Sequence, residues 1–328
     1  MEKKENYLDI LKALSKKENK LLLGGSLRSK LFRKKLILQE FFDGRANLSK
    51  TFWSILPEAL RPKKVLMNKW ENDLDIEIMF HYLVDDYPYE PVNLLCYQTY
   101  YLPQRKVTKR EKYSFFFVLV YLIKEIIIAD QYCAQEFIKN DSVVIDAGAN
   151  VGIFSLYASY LAPKGKVYCF EPTKSTFEIL EKNIKKNKLD KNIYSSNSAL
   201  GEKIQETEIQ INTENLGGGN SIIDSKMKNY IPVDYNDKQK VGMTTIDDFI
   251  KENHIQKVDF IKIDTEGYEK QILKGARETI KKFHPVISCS AYHLKDDKIK
   301  IPELVKSINP NYKFKLVDRF EEDLVFWV

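Results

Sequence analysis

Asp146-Ala-Gly148-Ala-Asn150-Val-Gly152 follows directly on the apolar run Val143-Val-Ile. Glycines at such a point let the backbone take positive φ and let a ligand approach closely. Glu171 lies 19 residues beyond Gly152, at the end of Lys166-Val-Tyr-Cys-Phe170, and Pro172 stops that run. A carboxylate there can accept both hydroxyl protons of a ribose. The chemistry this spacing serves is the seating of an adenosyl group, with S-adenosylmethionine as the expected cofactor. Asp146 can face the methionine ammonium or hold the loop, and Asn150 can serve the amino-acid end. Asn197 and Ala199, after a third apolar run, are placed to meet the adenine edge. The run is not G-x-G-x-x-G, because Asn150 takes the middle glycine's place, and a pyrophosphate would press closer to the chain. Singly, each glycine reads equally as an ordinary loop and Glu171 as a helix-start carboxylate; their order on successive strand ends is what carries the reading.

A second constellation could do the transfer itself. Asp264-Thr-Glu266-Gly-Tyr-Glu269 ends the run Val258-Asp-Phe-Ile-Lys-Ile263, and His293, one of four histidines, closes Val286 to Ala291. Methyl transfer is an in-line displacement that needs an aligned nucleophile and a group to take its proton. His293 is the first choice for that base, with Asp264 and Glu266 beside it. The same three residues could instead hold a hard divalent ion that lowers the acceptor's pKa. The plainer alternative for the carboxylates is capping of the helix that begins near Gly267, and for Glu269 the two readings weigh equally.

These residues need strand ends to position them. From Lys112 onward, short β-rich runs alternate with amphipathic helical patterns, as in a parallel sheet covered by helices on both faces. The expected strands are Val143–Asp146, Lys166–Phe170, Asn192–Leu200, Val258–Ile263 and Val286–Ala291, with Tyr312–Val317 and Leu324–Val328 as a closing hairpin. Helices are expected over Ile153–Ala162, over Ser175–Lys188, and after Gly267, where Tyr268, Ile272, Ala276 and Ile280 recur every four residues. In such sheets ligands sit at the carboxyl edge, which is where both constellations fall. Asn215-Leu-Gly-Gly-Gly-Asn-Ser221, in the long insert after the third strand, suits either a segment closing over substrate or a surface turn.

Residues 1–111 form an N-terminal accessory region, expected to be mainly helical, with patterns over Tyr7–Lys17 and Leu27–Phe42; residues 112–328 form the catalytic domain. Leu23-Gly-Gly-Ser-Leu-Arg28 reads as a turn before a helix. The basic run Arg28 to Lys35 suits peripheral contact with an anionic membrane or a solvated helix face. The 52 Lys and Arg against 46 Asp and Glu, mixed along the 328 residues, are too diffuse to imply nucleic acid. Four scattered cysteines form no C-x-x-C pair, so neither zinc nor a disulfide framework is indicated, and the expected setting is cytoplasmic. The most apolar stretch, Phe115–Ala129, is broken by Lys124 and Glu125 and is shorter than the roughly 20 residues a membrane helix requires.

Val144-Ile-Asp-Ala-Gly-Ala-Asn-Val-Gly152, Phe170-Glu-Pro172, Asp259-Phe-Ile-Lys-Ile-Asp-Thr-Glu-Gly-Tyr-Glu269 with Leu273-Lys-Gly-Ala276, and Ser290-Ala-Tyr-His293 with Asp297 and Ile301-Pro302 together resemble the FkbM-type methyltransferases. The resemblance covers residues 112 to 328. It implies a Rossmann-like α/β fold with a seven-stranded, mostly parallel sheet and a terminal antiparallel hairpin, and O-methylation of a hydroxyl on a sugar or natural product. The acceptor it implies is a small molecule or a glycan. Many relatives carry Glu where Ser290 stands, so no carboxylate role passes to that position. Two other readings stand beside it: a nicotinamide-dependent sugar oxidoreductase, and a non-catalytic cofactor-binding scaffold in glycan assembly.

Overall fold

The computed structural model describes residues 122, 124–211, 219–222 and 235–328, together with the backbone of two earlier strands. Those strands, β1 (Asp75–Phe80) and β2 (Val92–Tyr97), pair with each other. The rest of the expected helical region 1–111, the basic run Arg28 to Lys35 and the expected boundary at 111/112 lie outside the described residues. The chain divides into two units, Met1–Val65 with Phe80–Pro91, and Leu66–Met79 with Val92–Val328; everything below concerns the second.

A π-helix (Lys124–Ile128) and the short α1 (Ala134–Phe137) lead into β3 (Val143–Ala147), α2 (Ile153–Leu161), β4 (Lys166–Phe170), α3 (Lys174–Lys186) and β5 (Ile193–Ser196). After an insert come α4 (Ile246–Glu252), β9 (Phe260–Ile263), α5 (Glu269–Lys274), α6 (Arg277–Phe283), β10 (Val286–Ser290), α7 (Asp297–Ile308), β11 (Lys313–Asp318) and β12 (Glu322–Trp327). The insert carries β6 (Ala199–Leu200), β7 (Gln205–Ile211) and β8 (Asp237–Thr244), a separate three-stranded sheet.

The main sheet has seven strands in the order β11-β12-β10-β9-β3-β4-β5, parallel from β5 through β10, with β12 antiparallel to both β10 and β11. Strands covered on both faces should read as unbroken apolar runs. Val144, Ile145, Ile261, Ile263 and Ile287 accordingly lose all solvent contact. Strand order reverses at β3, so the chain leaves it on one side to β4 and β5 and returns on its other side as β9, and a crevice opens above their carboxyl ends.

The expected elements are present, with three changes of outline. Asn192–Leu200 is not one strand: Ile193–Ser196 joins the main sheet and Ala199–Leu200 pairs with β8 in the small one. The helix after Gly267 is two short helices, broken at Gly275, where an added Cβ would sit 1.9 Å from the Gly201 carbonyl. Phe115–Ala129 shows a π-helix over its described part.

Candidate functional site

The turn from β3 into α2 is pinned to the end of β4, where the amides of Gly148 and Ala149 both donate to the Phe170 carbonyl, at 3.0 and 2.9 Å. Gly148 has φ +78°, and a Cβ there would lie 2.0 Å from the Asp264 carbonyl oxygen. Only glycine lets this turn rest directly on the end of β9. Asn150 also lies in the left-handed region, at φ 51°, its side-chain oxygen accepting from the Val151 amide at 2.7 Å. Gly152, at φ +94°, faces Leu180 of α3, where a Cβ would come within 2.6 Å. That glycine packs one helix on another and does not touch the crevice.

Asp146 is fully buried beneath the turn. Its carboxylate accepts from Ser155 Oγ at 2.6 Å and pairs with Lys262 Nζ at 3.1 Å. Asp146 and Lys262 are register partners on β3 and β9. The same ammonium donates to the Gly148 carbonyl at 2.8 Å. Burial works against its charge, but Asp146, then Asp264 and Glu171, raise the Lys262 pKa above its ordinary value. Of the two roles expected for Asp146, its contacts are those of holding the loop. Lys262 was not singled out from the sequence, although a lone lysine inside an apolar strand buried on both faces was a visible signal.

Glu171 stands at the rim with its oxygens on the amides of Asn150 and Thr173, at 3.0 and 2.9 Å. Burial pushes its pKa up to about 7, against those two amides. Asn197 does not reach the crevice: its amide donates to the carbonyls of Glu171 and Pro172, at 2.9 and 3.0 Å, and so holds the rim from outside. Ala199 does line it, beside Phe170, Leu200 and Ile209.

The same crevice runs on to Asp264 and Glu266, whose side chains are 24% and 25% exposed. Tyr132 donates its hydroxyl to Asp264 Oδ2 at 2.7 Å. Glu266 takes a left-handed backbone, φ 60°, a local strain, and accepts from the Gly219 amide at 2.9 Å. Asn220 and Ser221, from the expected glycine-rich segment, are on the wall, while residues 212–218 lie outside the described ones.

His293 lies behind the carboxylates, fully buried and not on the crevice wall. Its Nδ1 is 2.9 Å from Glu269 Oε1, and its Nε2 is 3.6 Å from Asp264 Oδ1 and 3.7 Å from Glu266 Oε2. Glu269 also accepts from the amides of Thr265 and Gly267, at 2.9 and 3.1 Å. Burial opposes the histidine's charge, yet Glu269, then Glu266 and Asp264, push its pKa up to about 10. Glu269 is held down to about 2, His293 outweighing the effect of burial. The pair is therefore an imidazolium and a carboxylate at neutral pH. The expected base His293 thus lies behind the wall, and the carboxylates that line it there are Asp264 and Glu266.

One crevice thus brings together Gly148, Asn150, Glu171, Ala199, Asp264 and Glu266, while Asp146, Gly152, Asn197 and His293 support it from behind. Its residues suit the adenosyl cofactor: a glycine turn and a rim carboxylate at one end, an apolar wall beside them, and an acidic far end. Among the described residues no helix is long and apolar enough to cross a membrane, and Cys133, Cys169 and Cys289 are buried free thiols.

The chain is 25% identical over 166 residues to Methyltransferase 1 of Beauveria bassiana, covering 47% of this chain and 66% of that one. It is 26% identical over 163 residues to Methyltransferase sdnD of Sordaria araneosa, covering 43% and 62%. It thus spans just under two thirds of either relative. The crystal structure of Methyltransferase FkbM from Methylobacillus flagellatus is 24% identical, covers 58% of this chain and 44% of that one, and has a TM-score of 0.43. Residues 146–325, from the buried aspartate of β3 to the middle of β12, match the family described as Methyltransferase FkbM domain, and the chain belongs to that family.

Proposed function

We propose that the chain is an S-adenosylmethionine-dependent methyltransferase that methylates a hydroxyl of a sugar, nucleotide-linked or in a surface polysaccharide, or of a natural product. The observation that carries this reading is the continuity of one crevice from Glu171 and the Gly148 turn to Asp264 and Glu266. When bound, the cofactor supplies an electrophilic methyl group. Glu171 would accept from the ribose hydroxyls, Asn150 would serve the amino-acid end, and Phe170, Ala199 and Leu200 would flank the adenine. Asp264, oriented by the Tyr132 hydroxyl, and Glu266, fixed by the Gly219 amide, would accept the hydroxyl hydrogen, one of them taking its single proton as the methyl group passes from the sulfonium sulfur to the acceptor oxygen. Family membership and Asn150 in place of a glycine both weigh against a nicotinamide oxidoreductase.

The test incubates the full chain with methyl-labelled S-adenosylmethionine and a panel of nucleotide-linked sugars and glycan fragments. Label on an acceptor oxygen, falling by about a hundredfold or more in Asp264→Asn, is the expected result. Label on nitrogen or carbon alone would contradict the hydroxyl assignment, and cofactor binding with no transfer to any acceptor would favour a scaffold.

A further inference from the structure

We propose that Asp264, Glu266 and the Nε2 of His293 form a binding site for one divalent cation, with Glu269 as the positioning residue that fixes the imidazole. Three carboxylates, Asp264, Glu266 and Glu269, converge on a single buried histidine. The donor atoms of Asp264, Glu269 and His293 all lie within 4.8 Å of one another. A divalent ion that displaced the Nε2 proton would face three carboxylates with two positive charges in place of one. The separations of 3.6 and 3.7 Å from Nε2 to the two carboxylate oxygens are too long for hydrogen bonds. An ion about 2.1 Å from each of two donors 3.6 Å apart would see them at roughly 120°, within the range of four- and five-coordinate sites.

Two further observations separate this cluster from an ordinary patch of acids. Glu269 sits on the far ring nitrogen, the carboxylate–histidine arrangement that fixes a ligating imidazole from behind. Its Oε1 accepts from two amides and the ring, whereas its Oε2 is buried with no hydrogen-bond partner among the described residues. Glu269 is itself fully enclosed, so that oxygen has no solvent to turn to. A cation beside the imidazole would balance it. On the methyltransferase reading, on which this part alone rests, the ion would bind the acceptor hydroxyl and lower its pKa while a carboxylate takes the proton.

The test titrates Mn²⁺ into chelator-stripped full-length protein, following the loss of the free-ion spin-resonance signal and the rise in melting temperature. One equivalent per chain is expected. Affinity should fall at least about tenfold in Asp264→Asn, Glu266→Gln and His293→Ala, and by about tenfold in Glu269→Gln. Saturation without any melting shift, or Mn²⁺ affinity unchanged in Asp264→Asn and His293→Ala, would overturn the site. The wild-type melting shift needs no variant, so a substitution that fails to fold does not remove the test. S-adenosylhomocysteine binding without Mn²⁺ binding would overturn this proposal and leave the methyltransferase reading standing; the converse would overturn that reading and leave the metal site.

Discussion

The two ends of the crevice are built differently. At the glycine turn, charge is matched and enclosed: Asp146 pairs with Lys262 across adjacent strands, and Glu171 rests on the amides of Asn150 and Thr173. At the far end three carboxylates share one imidazole, and two of them face the crevice. The first end is a finished seat that needs a neutral or hydrogen-bond-donating ligand. The second is an acidic centre that becomes complete when a proton donor or a cation arrives. The contrast teaches that the proposed binding and transfer roles fall to differently built ends, joined by Gly148, which rests on the backbone of Asp264.

The largest effect should come from unbalancing the matched end. Lys262→Met leaves Asp146 as a buried, uncompensated charge and should lower unfolding stability by about 3–5 kcal/mol in denaturant titration. A loss under 1 kcal/mol would mean that the pair is not what holds the two strand ends together. Next, Glu171→Gln keeps the shape of the rim but removes the charge proposed to receive the ribose hydroxyls. Affinity for S-adenosylhomocysteine should fall about 10- to 100-fold by calorimetry, from lost charge-assisted hydrogen bonds of about 1.5–3 kcal/mol. The same measurement on Asp264→Asn should show little change, and an equal loss in both variants would erase the division between the ends.

Much of the matched end was legible because its contacts are local. Gly148, Asn150 and Glu171 sit at the ends of runs whose apolar character identifies them as strands, and the parallel sheet follows from those runs. The far end was legible only in part. Asp264 and Glu266 share a strand terminus, but the charge state of His293 depends on Glu269, 24 residues away, and the hydroxyl on Asp264 comes from Tyr132, 132 residues away. No spacing rule foretells such pairings. The small sheet of β6, β7 and β8 was missed for a similar reason: Gln205–Ile211 and Asp237–Thr244 are rich in charged and polar residues, and their pairing with each other makes them strands.

Smaller effects should appear with pH. The Glu269–His293 pair contributes fully to stability above the ordinary carboxylate value of 4.5 and below the ordinary histidine value of 6.5. It fades as pH rises toward about 10, where His293 deprotonates, and as pH falls toward about 2, where Glu269 takes a proton. Melting curves of Glu269→Gln should therefore show a flatter alkaline limb than wild type, and an unchanged slope would contradict the charged pair. At the other end, burial raises Glu171 to about 7, so its ionised form, the one proposed to receive the ribose, is lost below that pH. Cofactor affinity should hold above pH 7 and drop by up to about tenfold per unit below it, a slope absent in Glu171→Gln.

The most direct test of the central claim, one crevice that seats an adenosyl cofactor against an acidic transfer end, is calorimetric titration of the intact chain with S-adenosylhomocysteine. Saturable binding of one equivalent, weakened by Glu171→Gln and spared by Asp264→Asn, is the predicted result. No heat with folded wild-type protein, or binding indifferent to Glu171, would contradict it.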